Sequence, residues 1–191
     1  MADSRFRVTE LHDLPEDLRE RVGEIARKSG FVPNIFRALG HRPAELRAFL
    51  DYHEALMDRP EGLTKAEREL VVVATSGANH CTYCIVAHGA VLRIRSKDPH
   101  LADQVAANPW GAELDERSRA IADLALALAR SPEHFGAADL AKARAAGLTD
   151  DEIWDVGAIT ALFAASNRLA HLTALQPNPE FYLMGRENQM K

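Results

Sequence analysis

Hydrophobic residues recur at three- and four-residue spacing along nearly the whole chain, the period of an amphipathic helix. Leu18, Val22, Ile25 and Ala26 form a first stripe, opened at Pro15 and stopped at Gly30. A short helix follows Pro33, through Asn34, Ile35 and Phe36, and closes at Gly40. Pro43 opens a third, with Leu46, Phe49, Leu50, His53 and Leu56 on one side, ended by the turn Asp58-Arg59-Pro60-Glu61-Gly62. Thr64 and Glu67 have the spacing of a capping box, which launches Leu70-Val71-Val72-Val73-Ala74. Three consecutive valines also suit a strand. The cap, the length and the flanking Ala and Glu residues predict a helix buried on most sides.

A further helix is predicted from about Asn79 to Ile94, then a shorter one and a loop between Ser96 and Leu114. Helical spacing resumes over Asp115–Arg130 and over Ala137–Ala146, capped by Gly147. Thr149 and Glu152 repeat the capping box and start a run to about Leu175; the tail turns once more near Phe181. The chain therefore reads as all-α, one domain over residues 1–191. Leu63-Thr64…Glu67 and Leu148-Thr149…Glu152 are offset by 85 residues, an internal echo of residues 63–94 in residues 148–175. The same offset sets Trp154 against Glu69, Ser166 against Cys81, Leu169 against Cys84 and Thr173 against His88, so the second half carries no second set of reactive groups. The other reading is two unrelated helices that share a common cap.

Composition narrows the class. At 191 residues and 47% hydrophobic, the chain has ample material for a core. A net charge of −5, without basic runs, argues against a nucleic-acid surface. The apolar runs are too short for a membrane span, and the N-terminal Met-Ala-Asp-Ser-Arg-Phe-Arg lacks the apolar core of a secretory signal. The expected location is the cytoplasm. There, a close cysteine pair is more often catalytic, redox-sensing or metal-binding than a structural staple.

That pair is Cys81-Thr-Tyr-Cys84, followed four residues later by His88. On a helix, Cys81, Cys84 and His88 share one face. A helix N-terminus, an imidazole and a Cys-X-X-Cys arrangement each lower a thiol pKa, and this segment offers all three. Glu69 joins them only if the chain bends, because twelve helical residues span about 18 Å. Ser76-Gly77-Ala78-Asn79 is the predicted bend, with Gly77 left-handed and Asn79 capping the next helix. Glu69 and His88 then both lie about 12–13 Å from it, abreast, with Cys84 one turn nearer the bend. The result is a carboxylate-imidazole-thiol relay. Helix dipole and exposure favour Cys81 as the attacking thiol; proximity to His88 favours Cys84 and weighs more. Cysteines three apart on a helix have Cβ atoms about 5–6 Å apart, which the first turn must tighten to close a disulfide.

Glu69, eleven residues, then Cys-X-X-Cys-X-X-X-His resembles the signature of AhpD-like alkylhydroperoxidases within the carboxymuconolactone decarboxylase superfamily. Ser76-Gly-Ala-Asn-His-Cys-Thr-Tyr-Cys84 and Gly30-Phe-Val-Pro-Asn-Ile-Phe-Arg37 are similar to its peroxidase-related branch. The resemblance covers roughly Gly30 to Leu175. It implies an all-α AhpD-like fold, a homo-oligomer, and no cofactor. It further implies Cys84 as peroxidatic thiol, Cys81 as resolving thiol, and His88 with Glu69 as proton relay. The substrate is then a hydroperoxide, and the disulfide is reopened by an external dithiol, lipoyl or thioredoxin-like. Some relatives have a histidine between the cysteines; here Tyr83 stands there, which implies a shorter relay.

Other readings stay open at this point. Cys81, Cys84 and His88, with His80 or His53, make a rival zinc set in a redox- or metal-responsive binding protein, although structural zinc usually uses two separated ligand pairs. A carboxymuconolactone decarboxylase-like lyase is the third. His80, Tyr83 and Asn34 are pocket candidates, each with a plainer role as solvated, packing or capping residue. His53 reads as a packed or interface histidine, and Trp110 and Trp154 as packing or subunit contacts.

Overall fold

Nine α-helices occupy most of residues 5–186, the span described by this computed structural model. They are α1 (Glu16–Ser29), α2 (Asn34–Leu39), α3 (Pro43–Met57), α4 (Lys65–Ala78), α5 (Thr82–Ser96), α6 (Leu101–Ala107), α7 (Glu116–Arg130), α8 (Ala137–Ala145) and α9 (Asp150–Thr173). Short 3₁₀ turns fill several connections, the last over Pro179–Tyr182. No strand occurs among the described residues, so the fold is all-α. Of the N-terminal stretch read for a secretory signal, the first four residues lie outside the described ones. No helix among the described residues is long and apolar enough to cross a membrane.

The valine run is helix, and Val71, Val72, Val73 and Ala74 are wholly buried. Helix α4 has neighbours on every side: α5, α6, α7 and α9 all pack on it. Ile121, Leu124 and Leu126 from α7, and Val156, Ile159 and Phe163 from α9, complete this main core. A second cluster joins α1, α2 and α3 through Leu18, Val22, Phe36 and Leu46, and Phe49 touches both. A third, smaller one holds Cys81, Tyr83, Cys84 and Phe181.

Both capping boxes form. The Thr64 hydroxyl accepts from the Glu67 N–H at 3.2 Å while the Glu67 carboxylate accepts from the Thr64 N–H at 2.7 Å. Thr149 and Glu152 repeat this at 3.2 and 2.8 Å. Arg117 of α7 donates to both acids, at 2.6 Å to Glu67 and 2.5 Å to Glu152, so one guanidinium holds the first turns of α4 and α9 together. Thr75 and Thr160, also 85 residues apart, meet at 3.4 Å. Farther along the two segments differ in form: the first stops after Ala78 and doubles back, while α9 continues unbroken to Thr173.

The bend is not where a glycine-based expectation puts it. Helix α4 runs through Gly77 to Ala78, and His80 takes the left-handed conformation, with φ of 52°. The Cys81 N–H donates to the Ser76 carbonyl and the His80 N–H to the Gly77 carbonyl, the paired bonds of a Schellman turn. Cys81, not Asn79, is the residue that caps α5. Gly77 has a different job: a β-carbon there would sit 3.0 Å from the Ala106 carbonyl oxygen, so its bareness lets α6 lie close against α4.

Arg68 is buried completely, one residue before Glu69. It donates to the carbonyls of Leu56, Leu63 (3.0 Å), Glu61 (2.6 Å) and Arg59 (3.3 Å), and faces Asp155 of α9 at 3.5 Å. It ties the loop after α3 to the start of α4. Removing it strands those carbonyls and leaves a buried carboxylate with less compensation. Arg68→Met is expected to cost about 3–5 kcal/mol, read as a lowered urea midpoint at unchanged slope.

Candidate active site

The reversal at His80 sets α4 and α5 side by side, and Glu69 meets His88 across the seam. Nδ1 of His88 lies 2.8 Å from Oε2 of Glu69, and the two side chains are only 18% and 10% exposed. A carboxylate can only accept, so Nδ1 carries the proton and Nε2 is left as the nitrogen able to take or return one. Among the described residues, Glu69 is the only hydrogen-bond partner of His88. Its ring is held edge-on by Phe163, with centroids 4.6 Å apart.

The two cysteines are free thiols and both are buried. Their environments push them apart. The Cys81 thiol is drawn down to about 6, chiefly by the hydrogen bond it receives from Cys84, with the Cys84 amide, His171 and Asn167 also lowering it against the cost of burial. Cys84, the donor in that pair, is pushed up by it and by burial. The reduced pair therefore holds one negative charge near neutrality, resting on Cys81. The Cys-X-X-Cys pairing acts in opposite directions on its two members: the strongest influence on each sulfur is the other sulfur. Cys84 Sγ also lies 3.9 Å from the Ser166 hydroxyl. Asn167, fully buried, donates to Ser76 at 3.1 Å and accepts from Asn79 at 3.0 Å, tying the turn to α9.

Cys84 and His88 open on a cavity of about 500 Å³ between α1, α3, α5 and α9. Its walls are largely apolar, with Ile25, Phe36, Phe49, Leu50 and Phe163 among them, and Arg21, Glu24 and Lys28 also lie on it. Cys81 is not among the lining residues. His53 of α3 is, with its ring centroid 6.3 Å from that of His88 and no hydrogen-bond partner among the described residues. Burial, with His88 adding, holds its imidazole down to about 4, so it is neutral at physiological pH. A groove of about 570 Å³ between α7 and α8 is as large and contains neither cysteine nor histidine.

The structure thus brings Glu69, His88, Cys84 and Cys81 into one neighbourhood. Tyr83 is beside them, buried, its hydroxyl accepting from the Ile35 N–H at 3.1 Å. Two pocket candidates sit elsewhere. His80 is exposed, because a left-handed turn residue projects outward, and lines neither the cavity at Cys84 nor the small pocket at Cys81. Asn34 is spent on the tail: its N–H donates to Asn178 at 2.8 Å and its amide to the Gln176 carbonyl at 3.0 Å. Phe163, Ser166 and Asn167 belong to the site and carry no site expectation from the sequence, while His53, read there as a packed histidine or a fourth zinc ligand, lines the cavity. The polar pair Ser166-Asn167 inside the apolar run of α9 was the available signal. Among the described residues, no group of three His, Cys, Asp or Glu side chains is arranged to hold a metal ion.

The family model for carboxymuconolactone decarboxylase matches residues 43–108, a span containing Glu69, Cys81, Cys84 and His88. Among solved structures, the chain is similar to an uncharacterised peroxidase-related protein from Ralstonia eutropha JMP134, described as an alkylhydroperoxidase AhpD core. The two are 52% identical over 96% of each chain, with a TM-score of 0.93. A peroxidase-related protein from Silicibacter sp. TM1040 is 34% identical over 97% of this chain and 100% of that one, with a TM-score of 0.89. The debrominase Bmp8, solved in complex with 2,3,4-tribromopyrrole, shares the fold at 17% identity, over 95% of this chain and 97% of that one, with a TM-score of 0.81. No curated protein matches the chain.

The charge assignment is open to titration. Thiolate absorbance at 240 nm is expected to rise in one step near pH 6, worth one thiolate. In Cys84→Ala, where the donor is gone, the step should move up toward the ordinary thiol value of about 8.5. A step that stays put would assign the lowering to the helix end instead.

Proposed function

The chain belongs to the AhpD-like, peroxidase-related group of the carboxymuconolactone decarboxylase superfamily, and we propose that it is a thiol-dependent peroxidase acting on organic hydroperoxides. The observation that carries this reading is the Glu69–His88 hydrogen bond beside a cavity that Cys84 lines, with Cys81 behind it. The resting charge on Cys81 supplies the base for Cys84: a proton passing from Cys84 to Cys81 creates the thiolate on the cavity side. That sulfur attacks the nearer oxygen of the O–O bond, and the bond breaks toward the distal oxygen. Cys84 becomes a sulfenic acid. Nε2 of His88, protonated from solvent to the positive form that Glu69 stabilises, gives that proton to the departing alkoxide and returns to neutral.

Cys81, as a thiolate again, then attacks Sγ of the sulfenic acid. Hydroxide leaves with the proton that Cys81 had taken from Cys84, as water, and the Cys81–Cys84 disulfide closes. Cys81 caps α5 and Cys84 lies in its first turn, so closure asks only that end of the helix to tighten. An external dithiol restores the pair by exchange. Apolar walls, and a His53 that stays neutral, favour an uncharged organic group on the peroxide over hydrogen peroxide itself.

Turnover of cumene hydroperoxide with dithiothreitol as donor tests the assignment. Cys84→Ser is expected to abolish it, while Cys81→Ser should reduce one equivalent of peroxide and stop as a sulfenic acid. Glu69→Gln should slow the oxidation step by about 10²-fold, the lower range for a lost proton relay. Full activity in Cys84→Ser would refute the proposal, and activity surviving loss of both thiols would point to a lyase.

A further inference from the structure

The two sulfurs face different spaces. Cys84 lines the large cavity, whereas Cys81 lines a separate pocket of about 250 Å³ on the other side of the pair. Tyr83 lines both, and its buried ring is part of the wall between them. The small pocket has Ala170, Ala174 and Leu175 as its apolar surface, with Thr82 and Gln176 exposed beside it. His171 lines it as well, its Nε2 held at 3.0 Å by the Asn79 carbonyl. Arg5 closes one side, bonded through its backbone and guanidinium to the end of α9. Cys81 itself is 1% exposed, so a reagent reaches it through this pocket and not across an open surface.

On the reading of the protein as a dithiol peroxidase, we infer that the small pocket at Cys81 is the port for the reductant, a small dithiol, and that the peroxide and the reductant use opposite faces of one disulfide. Its volume is below the roughly 300–1,000 Å³ of sites for drug-sized ligands, which fits a short-chain dithiol and not the face of a folded protein. One thiolate of the reductant attacks Sγ of Cys81. The Cys81–Cys84 bond breaks, its electron pair goes to Cys84, and Cys84 takes the proton released by the reductant. The second thiol, deprotonated, then attacks the reductant's own bound sulfur and expels Cys81 as a thiolate. The dithiol leaves as a disulfide, two electrons poorer, and the protein regains both thiols. Cys81 is the better final leaving group because its site stabilises the negative charge, and a lower leaving-group pKa speeds exchange.

The test separates the two half-reactions. Protein is oxidised with diamide, so that the disulfide forms whether or not hydroperoxides are substrates, and reduction by dithiothreitol is followed by rapid-quench thiol titration. Thr82→Phe, and Gln176→Trp from a different element, both narrow the small pocket and should slow reduction by at least about tenfold, the scale of a displaced attack. Single-turnover oxidation by cumene hydroperoxide should be unchanged in both. Ile25→Trp, in the large cavity, should give the reverse pattern. Reduction at the normal rate in both narrowed variants, or equal slowing of both half-reactions, would overturn the two-sided arrangement. So would faster reduction by a thioredoxin-type protein than by dithiothreitol. If hydroperoxide fails to oxidise the wild type while the narrowed variants still resist dithiothreitol, the port stands and the peroxidase reading falls.

Discussion

Everything in the site depends on one reversal of the chain, made in the few residues between Ala78 and Thr82. It holds α4 and α5 antiparallel and abreast, which lets a carboxylate nineteen positions before an imidazole reach it. The turn is overdetermined. Its two Schellman bonds are backbone to backbone, Asn79 is fastened to Asn167 and to His171, and Gly77 admits α6 behind it. A left-handed histidine is an uncommon choice for the closing position, since a β-carbon there carries a steric penalty. The surrounding bonds outweigh it.

Given that frame, the chemistry follows from how two neighbouring thiols divide one proton. Neither sulfur has a neutral outlook: the one capping α5 is favoured as an anion and the one inside the first turn as a thiol. In the peroxidase cycle we propose, this polarity supplies each step with the group it needs, a base for the attacking sulfur and later a nucleophile for the sulfenic acid. The Glu69–His88 pair lies on the opposite flank, toward the cavity, where the proposed cycle calls for a proton donor. Separating these tasks between two flanks is the physical basis of the two-sided arrangement we propose.

Much of this was legible in the residues. Capping boxes at Thr64 and Thr149 and the breaks at Gly30 and Gly147 mark helix ends by local chemistry, which needs no tertiary information. The need for a bend between Glu69 and Cys81 followed from helix rise alone. Its position did not, because glycine serves two ends, left-handed backbone and close approach, and the spacing cannot say which one Gly77 serves. Arg68 looks like a surface cation in a helix; only the loop that folds over it makes it interior. His53 is similar. Its place in the cavity depends on α3 crossing near α5 and α9, a long-range fact with no local signature.

The reactive core spans only residues 69 to 88, so it is assembled from a hairpin of neighbouring helices with little loop entropy to overcome. Its covering is another matter: Ser166, Asn167 and Ala170 arrive on α9, some eighty residues later in synthesis. During translation the thiols are thus made before the α9 part of their covering exists. If the proposed peroxidase reading holds, a chain still on the ribosome is open to the oxidants the finished protein would turn over.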